Sequence, residues 1–477
     1  MRLALALDLG TTSLGAVAID RNGAVRGRVQ RPNRAHLRGL VSGHAEQDPA
    51  TLFDDALDAL RALARCLDGE PASLGLTGQM HGVLLAGPAN EPLTPLISWQ
   101  DRRAGVAGLE AFLAFCSAGD LERAGCRPAL GYGGVTLHAL ASAGKLPQGE
   151  WVAATVADWI GAKLADAQPR MDPSQAAALG LFDVVANDWN PNLLAAAGTS
   201  REHLPRIATS GAVLGGLTAA AARATGLPQR LPVVASIGDN QAAVLGSLPS
   251  GEEAYQINIG TGGQVNWPIP SFERVEAMDT RPLPVGRLML TGAGVSGGDA
   301  YAWVERTVST WLEAFGVVRS PEAIYDRLAE LALALPDDNG VLVARPVFRG
   351  SRRRPTERGS FQGVTFENFT PGHVARAVLE GIAAGLYEFV ESAGAAAPAA
   401  ARIIATGNAV RRNPLLVAAL ERRFGLPVFT PLHREEAAYG AALLAGVSAG
   451  IWADLREAGA VMRLRPAGAD EPEQARG

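Results

Sequence analysis

The chain has 477 residues, 48% of them hydrophobic and 19% charged, with a formal net charge of −5. That length exceeds what one ordinary core holds, so two domains are expected, and the composition excludes a mainly disordered chain. The acidic balance offers no field for nucleic acid, because the one dense basic run, RGSRRR at 349–354, is too short to outweigh it.

The opening LALALDLGTTSLGAVAID predicts two apolar strands joined by a turn at 10–13, with Asp8 interrupting the first. DRNG at 20–23 is a second turn signal, and VRGRV continues as a third strand. Apolar residues at helical spacing predict a helix over 48–67, with Asp48 as N-cap ahead of Pro49. SLGLTGQMHGVLLAG then gives a strand, a glycine-flanked polar loop and another strand, so an α/β layered fold is expected. No signal-type cleavage site follows the opening strand and no eighteen apolar residues run together, which predicts neither secretion nor a membrane span. Cys66, Cys116 and Cys126 are odd in number and form no metal-ligand pairs, which fits a reducing, cytoplasmic compartment.

The middle, 201–233, is alanine-rich and expected to be helical until Pro228 and Pro232 introduce VVASIGDNQAAVLGSL. GEEAYQINIGTGGQVNW, 251–267, then repeats the opening order of apolar strand, Gly-Thr turn and second strand, which predicts two similarly built domains facing one another. Periodicity predicts helices over 371–396 and 414–424. The expected division is an N-terminal domain over 1–248, a C-terminal domain over 249–465 and a loose tail over 466–477.

Three loops have the residue types for nucleotide chemistry. Gly10, Thr11 and Thr12 offer backbone N–H groups and two hydroxyls to phosphate oxygens, and Asp8 suits magnesium held through water. An ordinary hairpin would use the same glycine and threonines. Gly260, Thr261 and Gly262 form a matching turn, as a nucleotide held between two domains requires. In RIIATGNAVRRNPLL a strand ends at Gly407 and Asn408 and a helix opens at Asn413; these residues suit adenine or ribose, and equally a capped strand-to-helix turn. Asp239 in SIGDNQAAVLG stands at an expected helix start, either as the proton acceptor that phosphoryl transfer needs or as an N-cap. Gln79, Met80 and His81 in the tight loop TGQMHGVLL suit hydroxyl recognition, although a buried histidine tied to backbone is the plainer alternative.

Taken together, DLGTTS, NIGTGG, IIATGNAVRRNPLL, GSFQGVTFENFTPGHVARAVLEG and HREEAAYGAALLAG resemble the FGGY family of carbohydrate kinases from residue 4 to about 446. The resemblance implies a pair of ribonuclease-H-like α/β domains of the actin, hexokinase and heat-shock ATPase superfamily, hinged around a cleft. It also implies ATP and Mg²⁺ as cofactors and Asp239 as the catalytic base. Glycerol-specific members carry Arg and Glu where Met80 and His81 stand, so a ketose is the expected acceptor. LISWQDRRA, LGYGGVTL and MDPSQAAALGLFDVVANDWN look more like sedoheptulokinases than xylulokinases, which adds Gln100, Asp101, Tyr132 and Asn240 to the expected sugar site. Trp99, beside them, is expected to be core. Xylulose and ribulose are the alternative acceptors, and a catalytically silent sugar sensor is the alternative of another class. A homodimer is compatible with all of this, and the oligomeric state is not fixed by it.

Overall fold

In the computed structural model, which describes residues 1–336, 339–348, 350 and 356–469, the opening turn joins strand Arg2–Leu9 to Ser13–Ile19, and Val25–Pro32 completes an antiparallel meander. Strand Glu70–Gly78 runs parallel to Arg2–Leu9, Pro232–Val234 runs parallel to Glu70–Gly78, and Val213–Gly216 closes that edge antiparallel. Ile237–Gly238 also pairs with Glu70–Gly78 and leads directly into helix Asp239–Leu245.

The alternation of leucine and alanine in the opening strand gives its two faces different sizes. Leu3, Leu5, Leu7 and Leu9 pack with Leu52, Ala56, Leu60 and Leu63 of helix Pro49–Ala64, whose N-cap is Asp48. Ala4 and Ala6, with Val17 and Ile19, form the opposite face, where short side chains let helix Glu436–Ser448 lie close through Ala438, Tyr439, Ala441 and Ala442. Residues late in the chain therefore complete the first sheet.

Among the described residues the second seven-stranded sheet has the order Asp279–Leu283, Arg287–Ser296, Gly262–Ile269, Tyr255–Ile259, Ile403–Thr406, Val428–Pro431, Leu464–Pro466. From Arg287–Ser296 onward its pairings run antiparallel, antiparallel, parallel, parallel, antiparallel. The first sheet, taken from Val25–Pro32, runs in the same sequence. The repeat seen in the turns is thus a repeat of the whole sheet plan. A third core, including Val83, Ile97, Tyr132, Met171, Leu179 and Phe182, supports the loop at 79–82.

One expectation fails. Residues 201–233 are helical only over Ala219–Thr225, with a short 3₁₀ turn at Arg201–His203, while Val213–Gly216 is an edge strand. Pairing with Pro232–Val234 and two glycines at 215–216 outweigh the alanine-rich composition there. Apart from Gly350, the basic run at 349–354 lies outside the described residues, as does the tail beyond 469. Leu464–Pro466, at the end of the expected C-terminal domain, is a strand paired with Val428–Pro431, and Pro466 is the one tail residue it includes.

Candidate active site

Two carboxylates sit at the ends of the two strands that flank Glu70–Gly78, Arg2–Leu9 and Ile237–Gly238. Asp8 lies in the last turn-side pair but one of the opening hairpin, opposite Gly15, and Asp239 is the first residue of its helix, with Gly238 rather than Asp239 as N-cap. Glu435 joins them from just before the closing helix, with a left-handed φ of 62°. A Cβ on Gly15 would come within 2.9 Å of Glu435 Oε2, so the glycine makes room for that carboxylate. Burial, then the negative charges of Asp239 and Glu435, push the Asp8 carboxyl up to about 8. Burial raises Asp239 to about 6, moderated by the Asn240 N–H that donates to its Oδ1 at 2.7 Å. Asp8 Oδ1 is buried and has no hydrogen-bond partner. Unsatisfied acceptors amid like charges fit a hydrated cation.

The first turn is held by its carbonyls. Gly10 O accepts from Asn33 Nδ2 (3.1 Å), Thr11 O from His36 Nε2 (2.8 Å) and Thr12 O from Asn33 N (2.9 Å). Thr11 Oγ1 accepts from Trp99 Nε1 at 2.9 Å and donates to Gln79 Oε1 at 3.4 Å, while Gln79 Nε2 donates to Gln47 at 3.0 Å. Trp99 is therefore not core: it is 37% exposed, with its indole N–H fixed on the turn. The second turn is held differently. Gly260 O accepts from Gly298 N, and Thr261 O from Gly297 N and Asp299 N, all at the start of helix Gly298–Ala314. Gly262 begins the return strand.

His81 takes a left-handed φ of 71°, donates from Nδ1 to the Ala178 carbonyl at 2.7 Å and stacks on Tyr132 with ring centroids 4.2 Å apart. Met80 is buried against Gly238, so the 79–81 loop touches the residue preceding Asp239. Asn240 Nδ2 donates to Asn266 Oδ1 at 3.1 Å across to the second sheet. Asn266 in turn donates to Gln256, and Gln256 to Thr406.

Several expected sugar ligands are placed elsewhere or already engaged. Asp101 is 2% exposed; its carboxylate accepts from Ala45 N, Arg103 N and the Arg103 guanidinium, so it organises a loop instead of meeting a hydroxyl. Gln100 is exposed beside it. Tyr132 is buried and its hydroxyl accepts from Arg281 Nη2 at 2.8 Å, so its contribution passes through His81. Asn413 caps helix Pro414–Phe424 by accepting from Leu415 N and Leu416 N. Gly407, with φ 93°, closes against the first hairpin of the second sheet; a Cβ there would lie 2.3 Å from Ile259 O. Asn408 opens the short helix that follows. Asn33, His36, Arg281 and Glu435 were not singled out by sequence, because each works through partners distant along the chain. Among the described residues no three His, Cys, Asp or Glu side chains converge as a metal cage, and no helix is long and apolar enough to cross a membrane.

Two sheets on one plan, with glycine turns at equivalent strand ends and carboxylates beside the first, define a duplicated two-domain α/β fold with a candidate phosphate site. Residues 3–108 and 147–246 match the FGGY family of carbohydrate kinases, N-terminal domain, and residues 257–449 match its C-terminal domain. The chain belongs to the FGGY family and is a carbohydrate kinase. It is 30% identical over 485 residues to a glycerol kinase of Bordetella parapertussis, covering 96% of this chain and 90% of that one. It is 27% identical to the sedoheptulokinase of Mus musculus, covering 92% and 96%. Its fold matches the crystal structure of xylulose kinase from Rhodospirillum rubrum with a TM-score of 0.87 at 24% identity, over 99% and 95% of the two chains.

Proposed function

We propose that this kinase moves the γ-phosphoryl group of ATP to the terminal primary hydroxyl of a ketose, with sedoheptulose as the first acceptor. The observation that carries the proposal is the 79–81 loop: Met80 packs on Gly238, and His81, stacked on Tyr132, gives an acceptor wall adjoining Asp239. Asp239 takes the hydroxyl proton, and its raised pKa keeps it basic enough to do so near neutrality. With the carbonyls of the first turn tied to Asn33 and His36, the amides at Gly10, Thr11 and Thr12 and the Thr12 hydroxyl serve the nucleotide phosphates. Gly260, Thr261 and Gly262 serve them from the second sheet, and Gly407 and Asn408 adjoin the adenosine. Asp8 holds hydrated Mg²⁺, which when bound neutralises charge on the phosphate oxygens. Gln79 orients Thr11 between the two sites.

A second acceptor, glycerol, is favoured by the 30% identity to glycerol kinases, against 27% for the sedoheptulokinase. Against it stand Met80 and His81 at the positions where glycerol-specific members carry an Arg and Glu pair. A coupled ADP-release assay with sedoheptulose, xylulose, ribulose and glycerol decides. The highest kcat/KM is expected with sedoheptulose. A lead for xylulose or ribulose keeps the ketose class and overturns the first choice, and a lead for glycerol overturns the ketose proposal.

A further inference from the structure

Arg281 comes from strand Asp279–Leu283 of the second sheet, yet its guanidinium ends among residues of the first half. It is 4% exposed. Nη2 donates to the Tyr132 hydroxyl at 2.8 Å and to Asp279 Oδ2 at 2.9 Å, and Nη1 donates to the Ala177 carbonyl at 2.9 Å. The next carbonyl, that of Ala178, accepts from His81 Nδ1. The end of helix Pro173–Ala178 thus binds Arg281 and His81 through adjacent carbonyls, as cations and donors at a helix C-terminus are stabilised. Tyr132 closes the loop, bonded to Arg281 by its hydroxyl and stacked on His81 by its ring.

We propose that Arg281 is a positioning residue for acceptor recognition. It fixes the His81–Tyr132 stack from the opposite half of the molecule, so that the acceptor wall has its full shape only when the strand carrying Arg281 is docked. This rests on the acceptor-site assignment under the proposed function. A planar fork that meets three acceptors in different directions is the property of arginine that lysine lacks. A buried guanidinium bonded to a hydroxyl, a carbonyl and the Asp279 carboxylate also explains why these partners are not left to water: each unmade bond here leaves a buried polar group unsatisfied.

The test measures acceptor affinity by calorimetry, together with acceptor KM, ATP KM and thermal midpoint, using whichever acceptor the ADP-release panel places first. Arg281→Lys should weaken acceptor affinity by roughly tenfold or more, as expected for loss of charge-assisted hydrogen bonds, with ATP KM within about twofold of the parent. Tyr132→Phe keeps the ring and removes the acceptor atom, and should weaken acceptor binding in the same direction. The double variant should be no worse than the weaker single variant, because both remove one bridge. Additive losses, or a fall in thermal midpoint with unchanged acceptor affinity, would overturn the proposal and leave Arg281 as a structural tie. Both substitutions are mild enough to keep the test open if Arg281→Ala fails to fold. Failure of the ketose assignment appears in the unmodified enzyme as a lead for glycerol, and the Arg281 comparison then runs with glycerol.

Discussion

The two glycine-threonine turns occupy equivalent places in the two sheets and are secured by opposite means. The turn at 10–13 is tied by side chains, Asn33, His36, Trp99 and Gln79, several of which lead on to the acceptor loop. The turn at 260–262 is tied by backbone amides at a helix start. The equivalence extends to single positions. Asp8 pairs across to Gly15 and Thr77, and Asn258 pairs across to Gln264 and Thr406. One frame therefore carries an ionisable carboxylate where its copy carries a neutral amide. The duplication supplies two phosphate-sized turns, and side-chain substitution on one copy supplies the charge chemistry.

The largest effect that tests this asymmetry should come from Asp239→Asn. Turnover should fall by roughly 10²–10⁴-fold, the usual share of a positioned proton acceptor, with folding and sugar affinity kept; ADP release at saturating substrates measures it. Near-normal turnover would remove Asp239 from the proton transfer.

A glycine pair sharpens the comparison at smaller scale. A Cβ on Gly10 would lie 2.6 Å from Ser13 O, whereas one on Gly260 meets nothing within 4 Å. Gly10→Ala should cost about 1–3 kcal/mol of stability, in the range of overpacking, while Gly260→Ala leaves the thermal midpoint alone and raises ATP KM. Equal midpoints for the two variants would show that the turns are held alike.

A further test concerns pH. Asp8 has its folded pKa raised from 3.8 to about 8, so the folded protein binds that proton more tightly than the unfolded chain does. Stability from this group is present at low pH and lost as pH rises from about 4 to 8. In EDTA, Asp8→Asn should therefore gain in thermal midpoint over the parent progressively across that window, and Asn258→Asp should not reproduce the parent's profile when combined with it. Parallel midpoint curves for Asp8→Asn and parent would show that Asp8 is not under this strain.

The sequence made the two hairpins, helix Pro49–Ala64 with its Asp48 cap, and Asp239 at a helix start legible, because each is written in neighbours within a few residues. Where the outcome depends on a distant partner, local pattern misleads. Asp101 is a plausible sugar ligand until Arg103 folds back on it. Trp99 is a plausible core residue until Thr11, 88 residues away, receives its N–H. Arg281 carries no local signal at all, since Tyr132 lies 149 residues earlier. Residues 213–216 fail in the other direction, being strand by pairing where composition favours helix.

Helix Glu436–Ser448 covers the alanine face of a sheet whose first strand begins at Arg2, and its Tyr439 hydroxyl donates to Gly23 O across a separation of 416 residues. During synthesis the strands of the first sheet leave the ribosome long before their cover exists. The cover of Ala4, Ala6, Val17 and Ile19 is therefore made last along the chain, and closing this face depends on a contact of very high sequence separation, the kind that slows folding.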